Sequence, residues 1–466
     1  MLNEGTIIAK GTANGSAAIS IIRLSGINSI DMVSNCFKAE SGKILAKQKS
    51  HTIHFGTLYD KKRPIDEVLI SLFIAPKSYT GENVVEISCH GSIYIQQEIF
   101  QLFIRQGAIP AKPGEFTLRA FLNKKMDLIQ AEAVADLIAS ESEAAHRVAL
   151  DQMRGGYTQQ IALMRQKLID FASLITLELD FSEEDVAFAD RKSLDLLIDE
   201  LTKKIKSLID SFQYGSAVKQ GIPVVITGKP NAGKSSLLNN LLNEDRAIVS
   251  EIPGTTRDTI EDIVNIEGLQ FRFIDTAGLR ETNDKIEYIG VEKAIEKVKK
   301  ARILIYMFDQ SDVTVDEILK TLKDFERKNL ITILVENKID LRKNSEDSKF
   351  DNDLIKKIKN HSIADFIKIS TFDNESVGRL KRSLYNQLKG NTPNGDIVVT
   401  NVRHIHSLQK SLKSIKNIKN GLKDNLSGDL LSVDINEALN FLGEISGEIT
   451  NDELLGNIFS KFCIGK

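Results

Sequence analysis

Gly228, Lys229, Pro230, Asn231, Ala232, Gly233, Lys234 and Ser235 are the residues whose spacing speaks first of chemistry. Glycines at the first and sixth positions let backbone N–H groups curl around phosphate oxygens, at the N-terminus of the helix that the pattern SLLNNLL predicts next. Lys234 then reaches the β- and γ-phosphates, the Ser235 hydroxyl serves Mg²⁺, and Ser236 lies within nucleotide contact. Three further groups follow in order. Ser250, Glu251, Ile252, Pro253, Gly254, Thr255 and Thr256 form a switch segment whose Thr256 offers Mg²⁺ a second hydroxyl. Asp275, Thr276, Ala277 and Gly278, after the run FRFID, are suited to hold the metal through water and to sense the γ-phosphate. Asn337, Lys338 and Asp340 follow the run ITILVE, and a carboxylate there accepts both N–H groups of a guanine, which adenine does not offer. Ser370, after FIKIS, is placed to close over the base. The expectation is a GTP hydrolase.

Ras-like enzymes set a glutamine directly after DxxG to orient the attacking water, and here that position is Leu279. Glu287, in the charged segment ETNDKIEYIG, is a candidate to orient water directly or through a second water. It reads equally well as a solvated glutamate on a helix face. Asn231 is a candidate ligand for a monovalent cation beside the phosphates, whose charge would replace an arginine finger. It could instead cap the loop.

The elements that must carry these groups are legible around them. From Gly215 to about Leu388 the runs PVVIT, FRFID, ARILIYMFD, LITILVE and FIKIS alternate with helical segments, which predicts a parallel sheet of βαβ units. Upstream, from Thr6 to Pro113, β-rich runs (AISIIRLSG, EVLISLFIAP, NVVEISCHG) with one helical run over Ile93 to Arg105 predict an α+β domain. Between them, Leu194, Leu197, Ile198, Leu201, Ile205, Leu208, Ile209 and Phe212 share one helical face. After the linker Asn391 to Asp396, helical periodicity returns and runs to Ile458. The α/β unit thus reads as an insertion in a helical domain, with boundaries at 1–118, 119–214 plus 391–466, and 215–390.

A chain of 466 residues with 42% hydrophobic and 27% charged residues is an ordinary multidomain globular composition. A net charge of −3 argues against coating nucleic acid through bulk charge, so any RNA contact is focused. Three dispersed cysteines, Cys36, Cys89 and Cys463, give neither a disulfide framework nor a metal knuckle, and suit a reducing cytosol. No apolar run is long enough to span a bilayer, and a cytoplasmic protein without membrane contact is expected.

Beyond the four nucleotide motifs, TIIAKGT, IIRLSG, SYTGENVVEISCHG, KPGEFTLRAFLNKKMDLIQAEAVADLI and the terminal FCIGK together resemble the bacterial tRNA uridine-modification GTPases, the MnmE or TrmE family, over nearly the whole chain. The resemblance implies an N-terminal α+β domain that dimerises and binds a one-carbon tetrahydrofolate (5-formyl- or methylene-type). Its matching folate positions are Arg23, Glu86 and Lys125, with Lys466 nearby. It implies nucleotide domains that pair around K⁺, with Asn231, Ser250, Ile252 and Thr255 as ligand positions, and it matches the catalytic glutamate to Glu287. It further implies a homodimer joined by an FAD-containing partner in a heterotetramer, adding a carboxymethylaminomethyl or aminomethyl group to C5 of the wobble uridine (U34) of certain tRNAs. FAD belongs to that partner, since no GxGxxG opening a Rossmann unit is evident here. Ser92, where the family often shows HGG, and Leu118, where it carries a charged residue, imply altered packing. The competing reading, a ribosome-assembly GTPase, lacks the basic RNA-binding module expected after its nucleotide domain.

Overall fold

The computed structural model describes residues 5–180, 191–245, 262–274, 296, 298–327, 330–341, 347–358, 363–389, 397–424 and 426–465. The architecture is multidomain, combining an α+β sheet domain, helices and a Ras-like P-loop α/β domain. Two compact units divide it: Met1–Ile138, Leu150–Leu201 and Lys410–Lys466 make one, Ala139–Ala149 and Thr202–Gln409 the other.

In the first unit, strands β1 (Ile7–Lys10), β2 (Ile19–Ser25), β3 (Phe37–Ala39), β4 (Thr52–Asp60), β5 (Arg63–Phe73), β6 (Val84–His90) and β7 (Ile109–Pro110) form one sheet of order β3-β4-β5-β6-β2-β1-β7. Successive side chains alternate between its faces. Ile22, Leu24, Ile70, Leu72, Val85 and Ile87 are buried together with Ile99, Leu102 and Phe103 of the helix Ile93–Arg105. On the other face Phe55 and Leu69, directly opposite in the β4–β5 register, are 50% and 46% exposed, and Ile19 and Ile53 more so. That face therefore carries unburied apolar surface next to Glu86 and Ser88 of β6.

The helices of this unit behave as their periodicity demands. Leu194, Ile198 and Leu201 of the helix Arg191–Gln220 are buried, and so are Ile205 and Leu208 of its continuation in the other unit. Helix Gly156–Asp180 packs along helix Gly428–Ser446. Leu118 sits in the helix Glu115–Leu122 against an apolar cluster of Leu128, Ala131, Leu455, Phe459 and Phe462. An apolar residue suits that site, which accounts for the departure from a charged side chain. Ser92 is the N-cap of helix Ile93–Arg105, with extended backbone and no side-chain capping bond.

The second unit holds strands β8 (Ile222–Thr227), β9 (Asp262–Ile266), β10 (Leu269–Phe273), β11 (Ile303–Phe308), β12 (Ile331–Glu336) and β13 (Ile363–Lys368), in the order β13-β12-β11-β8-β10-β9. All neighbours run parallel except β9, which pairs antiparallel with β10. The expected parallel sheet of βαβ units is present, with one antiparallel strand added at its edge. Glu267 and Gly268 both take positive φ, 51° and 79°, as a two-residue type I′ hairpin requires. Near-continuous burial of β11 and β12 reflects a sheet covered on both faces. No described helix is long and apolar enough to cross a membrane.

Candidate nucleotide-binding site

β8 has β10 on one side and β11 on the other, so its C-terminal end lies at the point where strand order reverses, the usual place for a ligand in an open α/β sheet. The phosphate loop leaves there and leads into the helix Lys234–Asp245. Two of its glycines are fixed by close approach. A Cβ on Gly228 (φ 143°) would lie 1.8 Å from Met307 O, and one on Gly233 (φ 97°) 2.1 Å from Asn337 Nδ2. Between them Asn231 adopts φ 58° and is exposed, which leaves its amide accessible. Lys234 Nζ donates to Gly228 O at 2.9 Å and Lys229 O at 2.7 Å, so the ammonium lies over the concave side of the loop. Ser235 and Ser236 follow in the first turn of the helix.

The segment expected to read the base stands against this loop. Asn337 is buried, its Nδ2 donates to Ala232 O at 2.8 Å, and its Oδ1 accepts from Thr371 N at 3.2 Å. One side chain thereby joins the phosphate loop, the end of β12 and the turn after β13. Lys338 takes φ 63° and pairs with Asp309 Oδ2 at 2.9 Å. Asp340 lies exposed in the short 3-10 turn Ile339–Leu341, free to meet a ligand edge. Ser370 is buried; its N–H donates to Ser376 Oγ and its Oγ accepts from Phe372 N. Thr371 and Asp309 were missed by sequence reasoning. Thr371 acts through its backbone N–H, which no side-chain pattern reveals. Asp309, directly after β11, had a signal in the acid that ends ARILIYMFD.

Ser250, Glu251, Ile252, Pro253, Gly254, Thr255, Thr256, Asp275, Thr276, Ala277, Gly278 and Glu287 lie outside the described residues, as does Lys466. Among the described residues no cluster of three or more His, Cys, Asp or Glu could hold a metal. Of the expected Mg²⁺ ligands only Ser235 is described, and a single hydroxyl at a helix start is the partial donor set a phosphate-bound Mg²⁺ uses.

The profile of the GTP-binding protein TrmE N-terminus matches residues 6–125, and that of the MnmE helical domain matches residues 128–463. Relatives named tRNA modification GTPase MnmE align end to end with this chain. The one from Christiangramia forsetii is 52% identical over 476 residues, that from Flavobacterium psychrophilum 51% over 473, and that from Flavobacterium johnsoniae 50% over 473, each covering 100% of both chains. The chain belongs to the MnmE family of tRNA modification GTPases.

In this MnmE-family chain two of the N-terminal positions singled out from sequence, Arg23 and Glu86, come together. Arg23 on β2 and Glu86 on β6 are direct cross-strand partners, joined by Arg23 Nε–Glu86 Oε1 at 2.8 Å and Nη2–Oε1 at 2.6 Å. Arg23 Nη1 donates to Gly465 O at 3.1 Å, and its guanidinium lies 5.9 Å from the Tyr79 ring centroid and 5.7 Å from that of Phe116. Lys125 Nζ donates to Pro76 O at 3.0 Å, and its stem flanks the Gly81 turn. Beneath that turn Arg119, 3% exposed, donates to Glu82, Glu115 and Gly5 O. The Ser25 hydroxyl adds bonds to Thr80 and Glu82. The motifs SYTGEN and KPGEFTLRAF are therefore two halves of one buried polar lock, which a residue-by-residue reading of candidate ligands overlooks.

Proposed function

We propose that this chain is a K⁺-dependent GTPase that acts with an FAD-containing partner to install a carboxymethylaminomethyl or aminomethyl group on C5 of U34 in certain tRNAs. The observation that carries the GTPase half is Asn337, which holds the phosphate loop and the guanine-reading turn together through Ala232 O and Thr371 N. A GTP laid over these loops meets the N–H groups of Ala232, Gly233 and Lys234 at its phosphates and the Asp340 carboxylate at its guanine. Lys234 supplies positive charge to the β- and γ-oxygens, and Ser235 offers its hydroxyl to Mg²⁺. Mg²⁺ and K⁺, when bound, neutralise charge that develops between the β- and γ-phosphates. Exposed Asn231 supports K⁺ ligation when two nucleotide domains meet, with Ser250, Ile252 and Thr255 as its companions and Glu287 orienting the water. Thr256 completes the Mg²⁺ set.

The folate reading rests on Arg23 and Glu86. A carboxylate fixed by a guanidinium suits the amino-pyrimidinone edge of a pterin, and the half-buried Tyr79 ring beside that guanidinium suits its plane. Lys125 and Lys466 add charge suited to a glutamyl tail. Exposed Phe55 and Leu69 lie on the same outward sheet face and suit a homodimer contact. The domain reading is 1–118 for folate binding and dimerisation, 119–214 with 391–466 for the helices, and 215–390 for GTP. The chain is taken to work in the cytoplasm, where its tRNA substrate resides. The test is mass spectrometry of U34 in unmodified tRNA incubated with the chain, its FAD-containing partner, GTP, Mg²⁺, K⁺, methylene-tetrahydrofolate as carbon source, and either ammonium or glycine as nitrogen source. A mass gain lost in Lys234→Ala and in Arg23→Ala is expected. Unmodified U34 with the parent chain would overturn the reading.

A further inference from the structure

The strained turn at Lys338 and the phosphate loop are connected by a second route, distinct from Asn337. Asp309, at the end of β11, accepts Lys338 Nζ on Oδ2 at 2.9 Å, and its Oδ1 accepts Ser311 N at 3.0 Å and Ser311 Oγ at 2.7 Å. It is the N-cap of the 3-10 turn Gln310–Asp312. Asp312 O, at the end of that turn, accepts Lys229 Nζ of the phosphate loop at 2.9 Å. The same ammonium donates at 2.9 Å to Glu317 Oε2, and Glu317 forms a capping box with Thr314 at the start of helix Val315–Phe325. The connection therefore runs Lys338, Asp309, 310–312, Lys229, with the helix start as its anchor.

We propose that Asp309 and Lys229 are positioning residues for guanine-nucleotide retention: by bracing the base-reading turn and the phosphate loop against one short segment, they hold the two halves of the nucleotide site in one shape.

A non-glycine residue at φ 63° is held there only by its surroundings, and Lys338 has an ion pair with a carboxylate 14% exposed to do so. Partial burial works against that carboxylate, yet hydrogen bonds from Lys338 and Ser311 hold Asp309 below the usual carboxylate range, so it is charged at neutral pH. Asn231, at φ 58°, sits in the loop that Lys229 braces two residues away. A ligand that spans both loops loses affinity when either brace is cut, because it then has to order the loop itself.

The inference rests on the reading that GDP and GTP occupy these loops. Its test is the release rate of ribose-labelled fluorescent GDP from the full-length chain, chased with unlabelled GDP. Loss of a charge-assisted bond that holds the turn predicts release about tenfold faster in Asp309→Ala. Because Lys229 acts through the same segment, Asp309→Ala/Lys229→Met is expected within about twofold of Asp309→Ala alone. Asp309→Asn keeps the cap on Ser311 but not the charge opposite Lys338. It is expected to unfold thermally like the parent while still releasing GDP several-fold faster, which a merely structural role would not produce. Release at the parent rate in Asp309→Asn, or effects of Asp309 and Lys229 that multiply, would overturn the clamp and leave the nucleotide reading intact. A parent chain that binds no labelled GDP would overturn both.

Discussion

Replacing Gly233 by alanine would put a Cβ 2.1 Å from Asn337 Nδ2 and 3.4 Å from its Cγ, at a φ of 97°. The backbone term alone costs an L-residue about 1–2 kcal/mol. The contact expels Asn337 from its place, so the bonds to Ala232 O (2.8 Å) and from Thr371 N (3.2 Å) are lost. Both partners belong to buried residues, and each unpaired group adds about 1–3 kcal/mol. Asn337→Ala forfeits the same two bonds without the backbone term. In the double variant those bonds are lost only once, so it should lie within about 2 kcal/mol of Asn337→Ala, the backbone contribution by itself. Hydrogen exchange followed by mass spectrometry on peptides covering β11 and β12 reads the local opening free energies of the parent and the three variants. A double variant whose cost equals the sum of the singles would show that Gly233 and Asn337 do not share the contact, and would refute the account of why glycine stands there.

Other outcomes follow from the same geometry. Arg119→Met strands the carboxylates of Glu82 and Glu115, now 3.0 and 3.2 Å from the guanidinium, and should cost about 3–5 kcal/mol in urea unfolding followed by circular dichroism. Arg119→Lys should recover little of it, because one ammonium cannot replace the fork that serves Glu82, Glu115 and Gly5 O. Burial pushes the Cys36 and Cys89 thiols from 9.0 up to about 11, while Cys463 is exposed. Iodoacetamide at pH 8 should therefore label the native chain at Cys463, with peptide mass spectrometry finding Cys36 and Cys89 unmodified. The folded state favours the protonated thiols, so their contribution to stability is complete below the unfolded value and declines as pH rises from about 9 towards 11. Glu287→Ala should abolish K⁺-stimulated hydrolysis while labelled GDP still binds; hydrolysis at the parent rate would remove Glu287 from the mechanism.

Elements whose chemistry is local were readable from sequence. The helix over Ile93 to Arg105 shows its period in Gln96, Ile99, Leu102 and Phe103, and the structure forms it over the same residues. The phosphate loop was readable because a glycine-bounded turn between a strand and a helix is set by backbone geometry alone. β9 was not read, since Asp262 to Ile266 is short and its hairpin turns on Glu267–Gly268 rather than the stronger Asn-Gly signal. β4 also escaped, because His54 and Gly56 occupy inward positions where apolar residues would have marked a strand. The contacts that build the site are harder still. Arg23 meets Gly465 O across 442 positions of sequence, and Lys229 meets Asp312 O across 83. Such pairings depend on tertiary packing, which single-chain periodicity does not encode.

The most direct measurement is the GTP hydrolysis rate of the purified chain in KCl and in NaCl at equal ionic strength and fixed Mg²⁺. K⁺ should activate hydrolysis strongly, and Lys234→Ala should abolish that activation. Equal rates in the two salts would contradict the cation-dependent mechanism assigned to Asn231 and its companions.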